Sequence, residues 1–322
     1  MMQKPSYAEL PRPDASDLPL SWGAWGSEDQ LGTLNNITPT TVAAAAGLVR
    51  RGVRFNLNLP LDMPLGVIPD GAHRHRRGPK RKLIKESMFG GSMLICDECV
   101  EIYPQASSQW DGLTHVGDPR HGYYNAVQDT QVTHGKGSRN GMEHFARFGI
   151  AARGVLVDLD RAFAGSGRPW AAMGAPACTA DELDALLAAQ GTPLRAGDIL
   201  MVRTGWLSAF RATDTPARER LFRQGNYSGI AGDAAMWGYL WDHSVAAIVS
   251  DNVTVEVWPP KPDGPSLHLG IARMGFVLGE LFDLDDLAAD SAQGGGHECF
   301  FVSSPLNMQG GTGSTANAMA LR

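Results

Sequence analysis

The chain has 322 residues, of which 43% are hydrophobic and 19% charged, as in a globular protein with a substantial core. Its formal charge of −6 argues against nucleic acid as the main partner, because phosphate binding needs an excess of Lys and Arg. No stretch reaches the roughly 18 apolar residues that a membrane helix needs. The four cysteines are too scattered for a disulfide framework. We therefore expect a cytoplasmic protein with no membrane or nucleic-acid partner.

The first 20 residues are polar and rich in proline, and they contain no apolar segment typical of a secretory signal. We expect them to form a loose leader over 1–20, followed by a single domain over 21–322. No internal repeat and no linker-like composition indicates a further boundary within that domain.

The first predicted elements are a helix and two strands. Thr38 and Pro39 open the helix, because threonine caps a helix and proline suits its first position. Residues 53–64 alternate apolar and polar side chains, which predicts a half-buried strand. An irregular stretch is expected over 65–92, before a second strand near 93–103.

Strands and helices alternate irregularly through the rest of the chain. Thr179 and Glu182 have the spacing of a capping box, which predicts that a helix begins there. Further strands are predicted at 153–160, 197–206, 245–251 and 298–306, a helix at 232–243, and a helix followed by a strand over 268–281. This order lacks a regular β-α-β rhythm and favours a mixed α/β class.

The densest polar cluster is QWDGLTHVGDPRH at 109–121, which places Asp111, His115 and His121 in one short stretch. Its glycines and proline are typical of a loop that presents side chains. Imidazole nitrogen and carboxylate oxygen bind Zn²⁺ or Mn²⁺, and a catalytic site keeps one position open. Such residues also commonly satisfy nearby backbone groups, so the cluster alone leaves metal binding and a structural role open.

Several separated segments resemble the cyclase family of metal-dependent hydrolases, which includes bacterial kynurenine formamidase, isatin hydrolase and trans-dienelactone hydrolase. The family's loop motif, HxGTHxDxPxH, lies over 111–121, and the matching residues are Thr114, His115, Pro119 and His121. Far downstream, His268 and Glu280 stand twelve residues apart, as the family's histidine and glutamate do. The segments 154–159, 197–206 and 304–314 also look like the family's.

The resemblance implies a mixed α/β fold of the swivelling β/β/α type, with a central barrel-like sheet and flanking helices. It also implies an acid/base role for His121 and a metal site formed by Asp111, His115, His268 and Glu280. Asp111 stands where the family has its first ligand histidine, and Gly117 stands where it has a ligand aspartate. Because that aspartate bridges two metals in some members, Gly117 predicts a single divalent ion, Zn²⁺ or Mn²⁺. Asp118 is an alternative ligand, although its side chain should point elsewhere in an extended loop.

The implied reaction is hydrolysis of a C–N bond in an amide, formamide or cyclic amide, or of a lactone, in a small aromatic or cyclic carbonyl substrate. A divalent ion polarises a carbonyl and lowers the pKa of water, and the imidazole of His121 transfers protons near neutral pH. Two alternatives stay open: a metal-dependent cyclase or dehydratase of a polyketide-like compound, and a non-catalytic small-molecule binding protein.

Trp110 and His297 are the candidate substrate-binding residues. Core packing is equally plausible for Trp110, and a surface position is the favoured interpretation for His297. The family's dimeric habit implies a homodimer or higher homo-oligomer, with Trp22 and Trp25 expected at a subunit boundary.

Overall fold

A computed structural model describes residues 4–64, 76–261 and 264–322, so residues 65–75 of the predicted irregular stretch lie outside the described residues. The described helices are α1 (Pro39–Ala46), α2 (Met142–Phe148), α3 (Leu159–Phe163), α4 (Ala180–Ala189), α5 (Trp206–Arg211), α6 (Thr215–Gln224), α7 (Ala234–Asp242), α8 (Leu267–Met274) and α9 (Asp285–Asp290). The described strands are β1 (Arg54–Asn56), β2 (Lys80–Met88), β3 (Met93–Glu101), β4 (Gln109–Asp111), β5 (Ile150–Asp158), β6 (Ala177–Cys178), β7 (Ile199–Arg203), β8 (Gly229–Ile230), β9 (Ala247–Ser250), β10 (Leu278–Glu280), β11 (Glu298–Ser303), β12 (Gly313–Thr315) and β13 (Ala318–Leu321).

Nine of the described strands form one curled sheet in the order β1-β13-β11-β5-β7-β9-β10-β4-β12. Its centre is parallel, because β5, β7, β9 and β10 pair in the same direction, whereas β4 runs antiparallel to β10. The central strands are almost continuously apolar and buried, as in parallel sheets with helices on their faces. The predicted mixed α/β fold with a barrel-like sheet and flanking helices is confirmed.

The helix starts that were read from capping residues are confirmed. The Thr38 hydroxyl accepts a hydrogen bond from the N–H of Thr41 at the start of α1. Thr179 and Glu182 form the predicted capping box at the start of α4. The predicted helix and strand over 268–281 are α8 and β10, and Gly275 ends the helix in the left-handed conformation with φ of 65°.

Two predictions about the N-terminal third are wrong. Residues 4–20 are not loose, because Leu10 and Leu18 are buried and the indole N–H of Trp241 in α7 donates to the carbonyl of Pro5. Residues 80–88 are not irregular, because β2 pairs with β3 along its whole length. Both of its faces are solvent-exposed, so it lacks the alternation of a half-buried strand.

The main hydrophobic core lies between the large sheet and the helices that cover it. Trp237 and Trp241 of α7 are among its largest buried side chains. Among the described helices, none has both the length and the apolar character required to cross a bilayer.

Candidate metal centre

Strand β4 presents Gln109 and Asp111 on one face, because alternate residues of a strand point the same way. Gln109 is the register partner of Glu280 in β10. Its side-chain amide donates to Glu280 Oε2 at 2.5 Å and to Asp111 Oδ1 at 3.4 Å. The pairing of these two short strands therefore brings two buried carboxylates, from Asp111 and Glu280, to one place.

His268 reaches the same place from the first turn of α8. Ser266 caps this helix by accepting a hydrogen bond from the N–H of Leu269 at 3.0 Å, which fixes where the helix begins. The Nε2 atom of His268 lies 3.1 Å from Glu280 Oε1 and 3.8 Å from Asp111 Oδ2. Residues that are separated by more than 150 positions thus meet at one point.

Asp111, His268 and Glu280 each offer one ligand atom such that all three atoms lie within 4.8 Å of one another. His115 adjoins this group, since its Nε2 lies 3.6 Å from Asp111 Oδ1, and its side chain is partly exposed. The structure therefore brings Asp111, His268 and Glu280 together and places His115 beside Asp111; both carboxylates are buried, and both histidine side chains are partly exposed.

The electrostatics of the group fit a cation. Burial, followed by the charge of Asp111, raises the pKa of Glu280 to about 7. Burial opposes a charge on His268, yet its hydrogen bonds to Glu256 and Glu280 raise its pKa well above the usual value. Asp111 Oδ2 is buried and has no hydrogen-bond partner among the described residues. Since buried carboxylates need compensating charge, this oxygen and its neighbours suit a divalent ion.

Sequence analysis missed Glu256, which supports the site from behind. This fully buried carboxylate contacts His268 Nδ1 at 2.7 Å and accepts a hydrogen bond from the N–H of Leu267. A metal-binding histidine commonly donates its second ring N–H to such a carboxylate. The available signal was an acid between two valines, Val255 and Val257, which indicates a buried carboxylate in need of partners.

The structure corrects the role of Trp110. Its side chain lies on the opposite face of β4 from Asp111, is fully buried, and packs edge-to-face on Phe282 and Phe301. Its indole N–H donates to the Ser303 hydroxyl at 2.9 Å. Trp110 therefore belongs to the hydrophobic core and does not line the site.

His297 also lies away from the metal group. It immediately precedes β11, which is separated from β10 by β5, β7 and β9 in the sheet. Burial, with a further contribution from Arg322, lowers its pKa. A substrate-binding role for His297 is not supported by this position.

His121 is held by the N-terminal segment. Its Nε2 atom lies 2.6 Å from Asp14 Oδ2, and its ring meets Trp22 edge-on. Arg273, fully buried in α8, donates to Asp14 at 3.1 Å and to Asp118 at 2.7 Å. The carboxylate of Asp118 is therefore engaged by arginine, which excludes the alternative in which it replaces the family's ligand aspartate.

At Gly117, an aromatic ring occupies the space next to the missing side chain. A β-carbon added there would lie 3.1 Å from the ring of Tyr123. The loop is thus packed without a carboxylate at the position where the family has its aspartate.

The two N-terminal tryptophans pack within their own chain. The indole N–H of Trp22 donates to the carbonyl of Ala272 at 2.8 Å. Trp25 packs against Trp241, with ring centroids 5.4 Å apart. Their expected placement at a subunit boundary stays a prediction.

The sequence profile of a family described as "Putative cyclase" matches residues 34–257. The chain belongs to the cyclase family. A crystal structure described as a novel cyclase is 30% identical to this chain, with a TM-score of 0.81, covering 94% of this chain and 99% of the other. No curated protein matches this chain.

More distant solved structures share the fold of this chain. Isatin hydrolase A from Labrenzia aggregata, bound to benzyl benzoate, is 15% identical with a TM-score of 0.57, covering 86% of this chain and 94% of that one. An isatin hydrolase bound to the product analogue thioisatinate is 18% identical with a TM-score of 0.55, covering 89% and 99%.

Proposed function

We propose that this protein is a metal-dependent hydrolase that cleaves an amide, formamide, cyclic amide or lactone bond in a small aromatic or cyclic carbonyl substrate. The observation that carries this proposal is the convergence of Asp111, His268 and Glu280, with ligand atoms within 4.8 Å of one another. The names of the isatin hydrolases that share the fold support the reaction class. A cytoplasmic location is supported by the four cysteines, all of which are free thiols.

Four residues would hold one divalent ion, Zn²⁺ or Mn²⁺: Asp111, His115, His268 and Glu280. When bound, such an ion polarises a carbonyl and lowers the pKa of water. With an ion bound, Glu256 would accept the Nδ1–H of His268, which leaves the Nε2 lone pair to face the ion. Gln109 fixes the carboxylate of Glu280 by donating to its Oε2.

His121 would transfer the proton between water and the leaving group. Hydrogen bonds from Ser16 and His121 hold the pKa of Asp14 below its usual range, so its carboxylate is ionised and accepts the Nε2–H of His121. The proton is therefore kept on Nε2, and Nδ1 is left as the proton acceptor. Trp22, which contacts the ring, restricts its rotation.

The first test measures metal content and hydrolysis together. We expect the purified protein to contain one divalent ion per chain, to lose activity after chelation, and to recover it with Zn²⁺ or Mn²⁺. Activity is measured on N-formylkynurenine, isatin and a dienelactone. His268→Ala should lower metal affinity by roughly 10-fold to 100-fold or more and abolish turnover. The exposed His134 provides the matched control His134→Ala, which should retain both properties.

Each result has a distinct meaning. Stoichiometric metal without hydrolysis of any carbonyl substrate would favour a cyclase or dehydratase of a polyketide-like compound. A protein without metal would favour a small-molecule binding protein. Unchanged hydrolysis by His268→Ala would overturn the proposed site itself.

A further inference from the structure

A second, smaller hydrophobic cluster adjoins the candidate metal centre. Its buried members are Leu59, Ala106, Trp206, Leu207, Phe210, Tyr227 and Leu281. Leu281 directly follows Glu280, and Trp258, which packs against the cluster, lies two residues after Glu256. Two segments therefore lead from the metal group straight into this cluster, so its side chains lie beside the candidate site.

Among the described buried residues of this cluster, Tyr227 alone carries a hydroxyl group. Its backbone is fixed by two hydrogen bonds: its N–H donates to the carbonyl of Trp258 at 3.0 Å, and the N–H of Trp258 donates to the carbonyl of Tyr227 at 2.8 Å. Its ring meets Trp206 edge-on, with ring centroids 5.9 Å apart. These contacts leave Tyr227 only 5% exposed and hold its ring in one orientation.

The hydroxyl of Tyr227 has no hydrogen-bond partner within the described part of the chain. A buried tyrosine hydroxyl usually finds a partner, because an unpaired buried donor costs free energy. Burial, followed by the charge of Glu280, raises the pKa of Tyr227 to about 12. The hydroxyl therefore lies within electrostatic reach of Glu280, stays protonated near neutral pH, and can donate a hydrogen bond to a ligand at the site.

We propose that the Tyr227 hydroxyl donates a hydrogen bond to the carbonyl oxygen of the substrate and stabilises the negative charge that develops there during attack by water. This inference rests on the proposed hydrolase function. In the reaction, the oxygen of water bonds to the carbonyl carbon, the C–N or C–O bond breaks, and His121 carries the proton from water to the leaving group. Tyr227 keeps its own proton throughout.

Tyr227→Phe removes only the hydroxyl. We expect kcat to fall roughly 100-fold to 1,000-fold on any carbonyl substrate that the wild type hydrolyses, with KM and metal content close to wild type. The free energy of unfolding should stay the same or increase, because the variant removes an unpaired polar group. A residue with a merely structural role would not lower kcat while stability is kept. Tyr239→Phe, which removes a hydroxyl bonded to Asp184, is the matched control and should retain wild-type kcat.

A substrate with sulfur in place of the carbonyl oxygen tests the contact itself. Sulfur is a weak hydrogen-bond acceptor, so the hydroxyl should contribute much less to hydrolysis of the thiocarbonyl compound. The preference for the oxygen compound over its sulfur analogue, measured as the ratio of kcat/KM, should therefore be smaller in Tyr227→Phe than in the wild type. An equal ratio in the two proteins would contradict the contact.

Binding of trifluoroacetophenone gives a measurement that needs no turnover. This ketone forms a hydrate with the tetrahedral geometry of an attacked carbonyl, and calorimetry measures its affinity for the metal-loaded protein. We expect Tyr227→Phe to bind it roughly 10-fold more weakly, and Tyr239→Phe to bind it as the wild type does.

The two measurements separate the two proposals. A wild type that hydrolyses no carbonyl substrate but binds the ketone in a Tyr227-dependent way would overturn the hydrolase function and support the role of Tyr227. Wild-type kcat in Tyr227→Phe would overturn that role. Where no hydrolysis is found, wild-type affinity of Tyr227→Phe for the ketone would overturn it as well.

Discussion

At the scale of single residues, the partner of His121 comes from the segment that was expected to be loose. Asp14 contacts His121 Nε2 at 2.6 Å and also accepts hydrogen bonds from the buried Arg273. Arg273 lies on α8, five residues after His268. One helix therefore carries His268 of the candidate metal site and also contacts, through Arg273 and Asp14, the proposed acid/base residue His121.

Asp14→Asn tests the positioning of His121. The variant removes the negative charge and allows the amide to present N–H to the ring, so we expect kcat to fall by roughly 10-fold to 100-fold. KM and metal content should remain close to wild type, which a general loss of structure would not allow. Asp17→Asn is the control, because the side chain of Asp17 is 88% exposed. Wild-type kcat in Asp14→Asn would restrict Asp14 to a structural role with Arg273.

The residue pattern anticipated only part of the site. The resemblance to the family, through the twelve-residue spacing of His268 and Glu280, marked the distant half, and helix α8 and strand β10 return the chain to that point. Asp14 had no such signal and Glu256 only its position between two valines, because their partners are set by tertiary packing. Gln109 could have been predicted as a site residue, because a residue two positions before Asp111 lies on the same face of a strand.

At the scale of elements, short strands and tight loops decide which side chains reach the site. Strand β4 has three residues, too few for periodicity to reveal it, and so the opposite orientations of Trp110 and Asp111 were not predicted. The following loop places His115 beside Asp111 and packs Tyr123 over Gly117. Because the Tyr123 ring fills the space beside Gly117, the whole loop is packed for a residue without the family's aspartate side chain.

Gly117→Asp examines whether the loop can regain a second metal position. The new side chain would begin 3.1 Å from the Tyr123 ring, so we expect the free energy of unfolding to fall by about 1–3 kcal/mol. Metal content, measured by mass spectrometry of the purified protein, should stay at one ion per chain. Gly117→Asp/Tyr123→Ala should recover part of the stability, with Tyr123→Ala alone as the control. Two ions in Gly117→Asp would show that the ring does not block this position.

At the scale of the whole molecule, a buried carboxylate joins the centre of the sheet to a helix. Asp251 follows β9 and accepts hydrogen bonds from the N–H of Thr204 at 2.6 Å and of Gly205 at 3.0 Å, just before α5. It is fully buried, and burial raises its pKa to about 6. Its protonation therefore couples the stability of the fold to pH.

Asp251→Asn measures this coupling. The native carboxyl binds its proton more tightly than the unfolded one, whose pKa is about 3.9, so its contribution to stability is present below pH ~4 and is lost as pH rises through 6. Asparagine does not titrate. The free energy of unfolding of wild type relative to Asp251→Asn should therefore decrease by about 3 kcal/mol between pH 4 and pH 7. Chemical denaturation across this range measures it, and a constant or growing difference would contradict the assignment.

The central strands of the sheet were easier to predict from the sequence than the N-terminal segment and the hairpin of β2 and β3. Apolar runs predicted the central strands β5, β7 and β9, because strands covered on both faces must be hydrophobic throughout. Strand β3 was predicted near 93–103, whereas its hairpin partner β2 escaped prediction because charged and apolar residues share both of its faces. The N-terminal segment escaped it because the surface that covers Leu10 and Leu18 belongs to residues far away in the sequence.

The distances along the chain between contacting residues also bear on folding kinetics. Asp14 and His121 are 107 positions apart, and Gln109 and Glu280 are 171 positions apart. Contacts of such high sequence separation form late, because the entropy of closing the intervening loops must first be overcome. A nascent chain thus lacks the complete candidate metal site until β10 has been synthesised and paired, so an ion at that site would not guide the early steps of folding.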